Sequence, residues 1–124
     1  MNEPHAFKSI VWIGSSRSDL KLFPDEVKKE IGHALYQAQV GGESHSAKPL
    51  TDFGGARVIE IVDDYLGNTY RAVYTVKFSE VVYVLHVFQK KSKKGIATPK
   101  AEIDLIKKRL KVAEENYKLR GRQR

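Results

Sequence analysis

The chain has 124 residues, 41% hydrophobic and 30% charged, with no cysteine and a net charge of +7. That balance suits one soluble globular domain over residues 1–124 and excludes a disulfide framework, thiolate metal sites and a thiol nucleophile. No apolar run approaches the ~18 residues of a membrane span, and MNEPHAFK lacks the regions of a secretory signal, so a cytoplasmic protein is expected.

FKSIVWI (7–13) is short, apolar and rich in β-formers, which predicts a first strand. GSSRSD breaks it, and Ser18 or Asp19 is placed to cap a helical turn over 19–22. FPDEVKKEIGHALYQAQVGG (23–42) predicts a helix. Pro24 suits its first position, Asp25 and Glu26 complement the dipole, and Val27, Ile31, Leu35 and Ala38 form one apolar stripe. Gly41-Gly42 ends it, and the turn-forming segment 43–56 reads as a loop. Three strands follow, RVIEIV (57–62), TYRAVYTVKF (69–78) and VVYVLHVFQ (81–89), joined by connections short enough for an antiparallel meander. Thr98 offers an N-cap and Pro99 a first turn for a last helix. Its stripe is Ile103, Ile106, Leu110, Ala113 and Tyr117, and a basic tail over about 118–124 is expected to fray. The order predicts an α+β layer fold with a small sheet.

The charge is unevenly placed. Residues 90–124 hold thirteen Lys or Arg against four Asp or Glu, a net of +9, whereas residues 1–89 hold nine against eleven, a net of −2. Such asymmetry points to a polyanion such as RNA, or to an acidic partner, with a solubilising tail as the plain alternative.

Strand parity sorts the candidate residues. One face of 69–78 carries Arg71, Val73, Thr75 and Lys77, the other Tyr70, Ala72, Tyr74 and Val76. Strict alternation in 81–91 puts Val82, Val84, His86, Phe88 and Lys90 on one face and Val81, Tyr83, Leu85, Val87, Gln89 and Lys91 on the other. Antiparallel pairing through Ser79-Glu80 brings Arg71 level with His86 to Lys90, and Arg57 is expected to add a third cation there. A sheet end bearing Arg57, Arg71, His86, Lys90 and Lys91 suits an RNA phosphate: arginine grips it with a planar fork, lysine adds charge and histidine can move a proton. Phe88 could stack on a base, and Lys93 and Lys94 extend the basic run. RNA carries its own 2′-OH nucleophile, so cleavage requires positioning, charge stabilisation and proton transfer but no metal. Each residue also has a plainer reading: Arg71 pairs with an acid across the sheet, His86 is a core histidine, and the lysines are a solvated loop.

WIGSSRSDL, KPLTDFGGARVIEI, TYRAVYTV and YVLHVFQKKSKKGIATPKAEIDLIKKRL resemble the phage-derived Gp49-like, HigB-type toxins of the RelE/ParE superfamily, over about residues 8–112. The resemblance implies a RelE/ParE-like α+β fold: a small, mainly antiparallel sheet with an N-terminal helical hairpin and a C-terminal helix. It further implies the toxin of a type II toxin–antitoxin module, a ribosome-dependent, metal-independent endoribonuclease (mRNA interferase) that inhibits translation and needs no cofactor. Its implied partners are a helix-turn-helix (HigA-type) antitoxin, the ribosome and mRNA. Arg71 matches the family's strand arginine in YR-x-x-Y that contacts the scissile phosphate. Lys90 and Lys91 match the basic position after the last long strand, and Arg57 falls where relatives carry basic residues. The sequence departs from the pattern in IEIVDD, which has Glu60 but no arginine after it, and Tyr117 lies further along its helix than the catalytic tyrosine of relatives. A gyrase inhibitor of the ParE type and a basic nucleic-acid-binding module without cleavage are the competing readings.

Overall fold

The computed structural model describes residues 7–90 and 97–122. The chain runs β1 (Ser9–Trp12), α1 (Ser16–Lys21), α2 (Asp25–Gln39), β2 (Ala47–Pro49), β3 (Val58–Tyr65), β4 (Asn68–Phe78), β5 (Val81–Lys90) and α3 (Lys100–Arg122). It is an α+β structure with one five-stranded sheet, ordered β1-β5-β4-β3-β2. The meander β3-β4-β5 is antiparallel, as its short turns require. The sheet as a whole is mixed, because β1 lies parallel to β5 with Ser9 opposite Val81. At the other edge β2 pairs antiparallel with β3, inside the segment expected to be loop.

The β3–β4 hairpin turns on Leu66 and Gly67, both at positive φ (49° and 82°), the geometry whose twist matches flanking strands. Pro24 sits one position before the helix, as the N-cap of α2. The expected N-terminal helical hairpin does not describe α1 and α2. At six residues α1 is too short to bury a face along α2, and it packs against β5 instead. No helix among the described residues is long and apolar enough to cross a membrane.

The sheet has an apolar layer on each side. Val27, Ile31, Ala34, Leu35 and Ala38 of α2 pack on Ile59, Ile61, Tyr70, Ala72, Tyr74, Val82, Val84 and Val87. On the other side Ile106, Leu110 and Ala113 of α3 pack on Val58, Val73, Val81, Tyr83, Leu85 and Phe88. The parity expected for β4 holds, with Ala72 and Tyr74 facing α2 and Val73 facing α3.

Strict alternation fails in β5. Val73 pairs with His86 but Tyr74 pairs with Val84, so Leu85 is an extra residue in a β-bulge. The bulge exchanges the faces. Val82 and Val84 share the α2 side with Val87, while Phe88 joins Val81, Tyr83 and Leu85 on the α3 side. His86 therefore turns towards α3, where Glu102 meets it.

Candidate functional site

Antiparallel pairing brings the start of β4 beside the end of β5: Thr69 lies opposite Lys90, Arg71 opposite Phe88 and Val73 opposite His86. On the α3 side of this sheet end stand two polar networks.

The first holds Arg71, only 4% exposed. Its Nη1 donates to Glu60 Oε1 and to Thr98 Oγ1, each at 3.1 Å, and the Thr98 hydroxyl donates to Glu60 Oε2 at 2.7 Å. Glu60 is 1% exposed, so the carboxylate and guanidinium neutralise each other away from water. A buried charge needs such a partner. Thr98 was expected to cap α3; its hydroxyl is instead committed to this pair, and the Pro99 carbonyl accepts the Glu102 and Ile103 amides at 3.0 Å. One residue before Thr98, the Ala97 carbonyl accepts from Lys90 Nζ at 2.8 Å. Arg71 and Lys90 thus both hold the short segment that leads into α3.

The second network holds His86. Its Nε2 lies 2.8 Å from Glu102 Oε1, and its Nδ1 3.3 Å from Arg109 Nη1. A carboxylate only accepts and a guanidinium only donates, so the hydrogen-bond pattern assigns a ring with its hydrogen on Nε2 and its lone pair on Nδ1. Arg109 also donates to the Leu85 carbonyl at the bulge (3.1 Å) and to Ser15 Oγ (3.2 Å). The Arg109 guanidinium lies against Gly14, whose φ of +58° and missing side chain leave it room. His86 stacks on Phe88, with centroids 4.6 Å apart and planes at 19°.

The sequence-predicted residues divide accordingly. Arg71, His86, Phe88 and Lys90 come together. Phe88 is buried with its ring on His86, so the base-stacking face expected of it is already occupied by an imidazole. Lys91, Lys93 and Lys94 lie outside the described residues.

Arg57 does not belong with them, which corrects the expected third cation. The start of β3 faces the end of β4, and the Arg57 carbonyl accepts from the Val76 amide. Val76 is five residues along β4 from Arg71, or roughly 17 Å. Arg57 lines a cleft with Ala38 of α2, on the opposite side of the sheet. The antiparallel rule that brings Arg71 to the end of β5 is the same rule that carries Arg57 away.

Glu102, Arg109 and Asn116 were not foreseen. They recur every seven residues along one edge of the α3 stripe, and each reaches β5: Glu102 to His86, Arg109 to His86 and Leu85, and Asn116 Oδ1 to the Tyr83 hydroxyl at 2.7 Å. Polar residues at helical spacing beside an apolar stripe are the signal that could have found them. Among the described residues no three His, Cys, Asp or Glu side chains gather as a metal site.

The family model "Phage derived protein Gp49-like (DUF891)" matches residues 18–111. The chain belongs to the Gp49-like family. No curated protein and no solved structure matches the chain. The Gp49-like segment contains Glu60, Arg71, His86, Lys90, Thr98, Glu102 and Arg109, hence both networks except Ser15. Gp49-like proteins are often the toxins of toxin–antitoxin modules, and a toxin role is consistent with membership.

Proposed function

We propose that this protein is the toxin of a type II toxin–antitoxin module and acts in the cytoplasm as a ribosome-dependent endoribonuclease. Its partners in this reading are the translating ribosome, mRNA and a helix-turn-helix antitoxin. The observation that carries the reading is the convergence of Arg71, His86 and Lys90 at one sheet end within the Gp49-like segment.

The chemistry needs a held phosphate, compensation of its developing charge and a route for the 2′-OH proton. Lys90, on the half-buried rim, supplies charge to the phosphate. Arg71 is a positioning residue: through Thr98 it fixes the segment whose Ala97 carbonyl holds Lys90. The proton-handling pair is His86 and Glu102. The Glu102 side chain is 32% exposed, so it reaches the rim, while the buried imidazole orients its carboxylate. The +9 charge of residues 90–124 steers RNA to this end.

A second reading, RNA binding without cleavage, is favoured by the burial of Arg71 and His86 in existing polar pairs. Purified protein added to a reconstituted translation reaction separates the two. Loss of full-length message only when ribosomes translate it supports the nuclease; a translation block with intact message supports the second reading. Loss of gyrase supercoiling with translation unaffected contradicts both.

A further inference from the structure

The last helix carries apolar residues on two faces. Ile106, Leu110 and Ala113 are buried against the sheet. On the outer face Leu105, Val112 and Leu119 recur every seven residues, so they lie almost above one another, drifting by about 20° per heptad. None of the three belongs to either core cluster. Val112 and Leu119 are 50% and 54% exposed, and Leu105 is half-buried. A single exposed leucine is ordinary, but a straight apolar seam over two heptads has the form of a helix contact.

Charge along this seam is one-sided. Each of the four carboxylates of α3 already has a partner: His86 meets Glu102, Lys100 meets Asp104, Lys77 meets Glu114 and Lys118 meets Glu115. Among the described residues, Lys108, in the seam between Leu105 and Val112, and Lys111, on its flank, make no ion pair. Flanking charges of this kind set partner choice between paired helices.

We propose that the outer face of α3 docks an amphipathic helix of an acidic partner protein. The apolar stripe of that helix lies on Leu105, Val112 and Leu119, and its carboxylates meet Lys108 and Lys111. A second copy of this chain fits poorly, because residues 90–124 carry a net +9 and repel their own image. RNA would use the lysines but leave the three apolar side chains in water. The seam is one residue wide, narrower than the apolar face with which a helix enters a bilayer surface. Docking here needs no nuclease activity, so it is tested apart from the ribosome-dependent reading.

The probes are two synthetic helical peptides, each about three heptads long with the same leucine seam, flanked by Glu in one and by Lys in the other. Amide shifts of the ¹⁵N-labelled full chain read binding. Saturable shifts at Leu105, Val112 and Leu119 are expected with the Glu-flanked peptide and none with the Lys-flanked one. Val112→Gln combined with Leu119→Gln changes only exposed positions, so this variant should fold as the parent does and bind roughly tenfold more weakly. Lys108→Gln combined with Lys111→Gln should weaken binding by a similar factor and flatten its salt dependence. Failure of the Glu-flanked peptide to saturate, equal affinity for the Lys-flanked peptide, or affinity unchanged in the Val112 and Leu119 variant would each overturn the proposal. Tighter binding of this face to single-stranded RNA or to phosphatidylserine vesicles, or the same shifts on concentrating the protein alone, would assign it to nucleic acid, a membrane or a second copy and overturn it as well.

Discussion

Arg71 and Glu60 meet across β3 and β4 at 3.1 Å, both almost fully buried, and Thr98 closes the pair from the start of α3. The residue that family resemblance singles out for catalysis is therefore also a structural ion pair. Removing one partner of such a pair leaves an uncompensated buried charge and costs about 3–5 kcal/mol. Arg71→Ala should lower stability by that order, and the double change Arg71→Met with Glu60→Leu should recover most of it. Denaturant unfolding of the three proteins checks this. Loss of toxicity in Arg71→Ala alone thus reports folding as much as chemistry.

Lys90 separates the two effects. Its ammonium donates to the Ala97 carbonyl from a half-buried rim, a kind of contact typically worth about 1 kcal/mol. Lys90→Ala should unfold within about 1 kcal/mol of the parent and yet relieve growth arrest on induction. A folded variant that arrests growth as fully as the parent would remove Lys90 from the site.

Gly14 holds the room that Arg109 needs. A Cβ there would lie 2.9 Å from Arg109 Cζ and Nε, and the φ of +58° already disfavours a side chain. Gly14→Ala should destabilise by about 1–3 kcal/mol, combining left-handed strain with displacement of the guanidinium. Because Arg109 faces His86 Nδ1, the same change should move the imidazole ¹⁵N resonances away from the pattern of a ring protonated at Nε2. A loss of stability with those resonances unmoved would separate Arg109 from the His86 tautomer.

Asp63 on β3 is held above its ordinary 3.8, first by burial and then by Glu30 and Asp64. An acid raised in the folded state is still protonated there when its unfolded counterpart has ionised. Its contribution to stability is therefore lost as pH rises from about 3.8 through the higher folded value. Asp63→Asn should raise the melting temperature at pH 7, and the gain should vanish near pH 3. Thermal melts of both proteins across that range test the sign.

The meander and both long helices are legible in the sequence because their signals are local: short turns, a 3.6-residue stripe, Pro24 and Pro99. Features that depend on distant partners are not. The parallel pairing of Ser9 with Val81 leaves no local trace. The bulge at Leu85 was hidden because VVYVLHVF is apolar on both faces, so the pattern fixes no register. The grouping of His86, Phe88 and Lys90 on one face did not depend on Val82 and Val84 sharing it. For the site, residue types and the possibility of structural pairing are legible, but the partners are not, because they come from other elements. That Arg71 pairs with an acid across the sheet is one of its two readings, but nothing local in the sequence singles out Glu60 as that acid.

Ribosome-dependent cleavage is tested most directly by mapping mRNA 5′ ends after brief induction of the parent and of the folded Lys90→Ala variant. New ends within translated coding regions are expected in the parent, lost when translation is blocked beforehand and lost in the variant. Growth arrest by the parent with no new ends would contradict the nuclease reading.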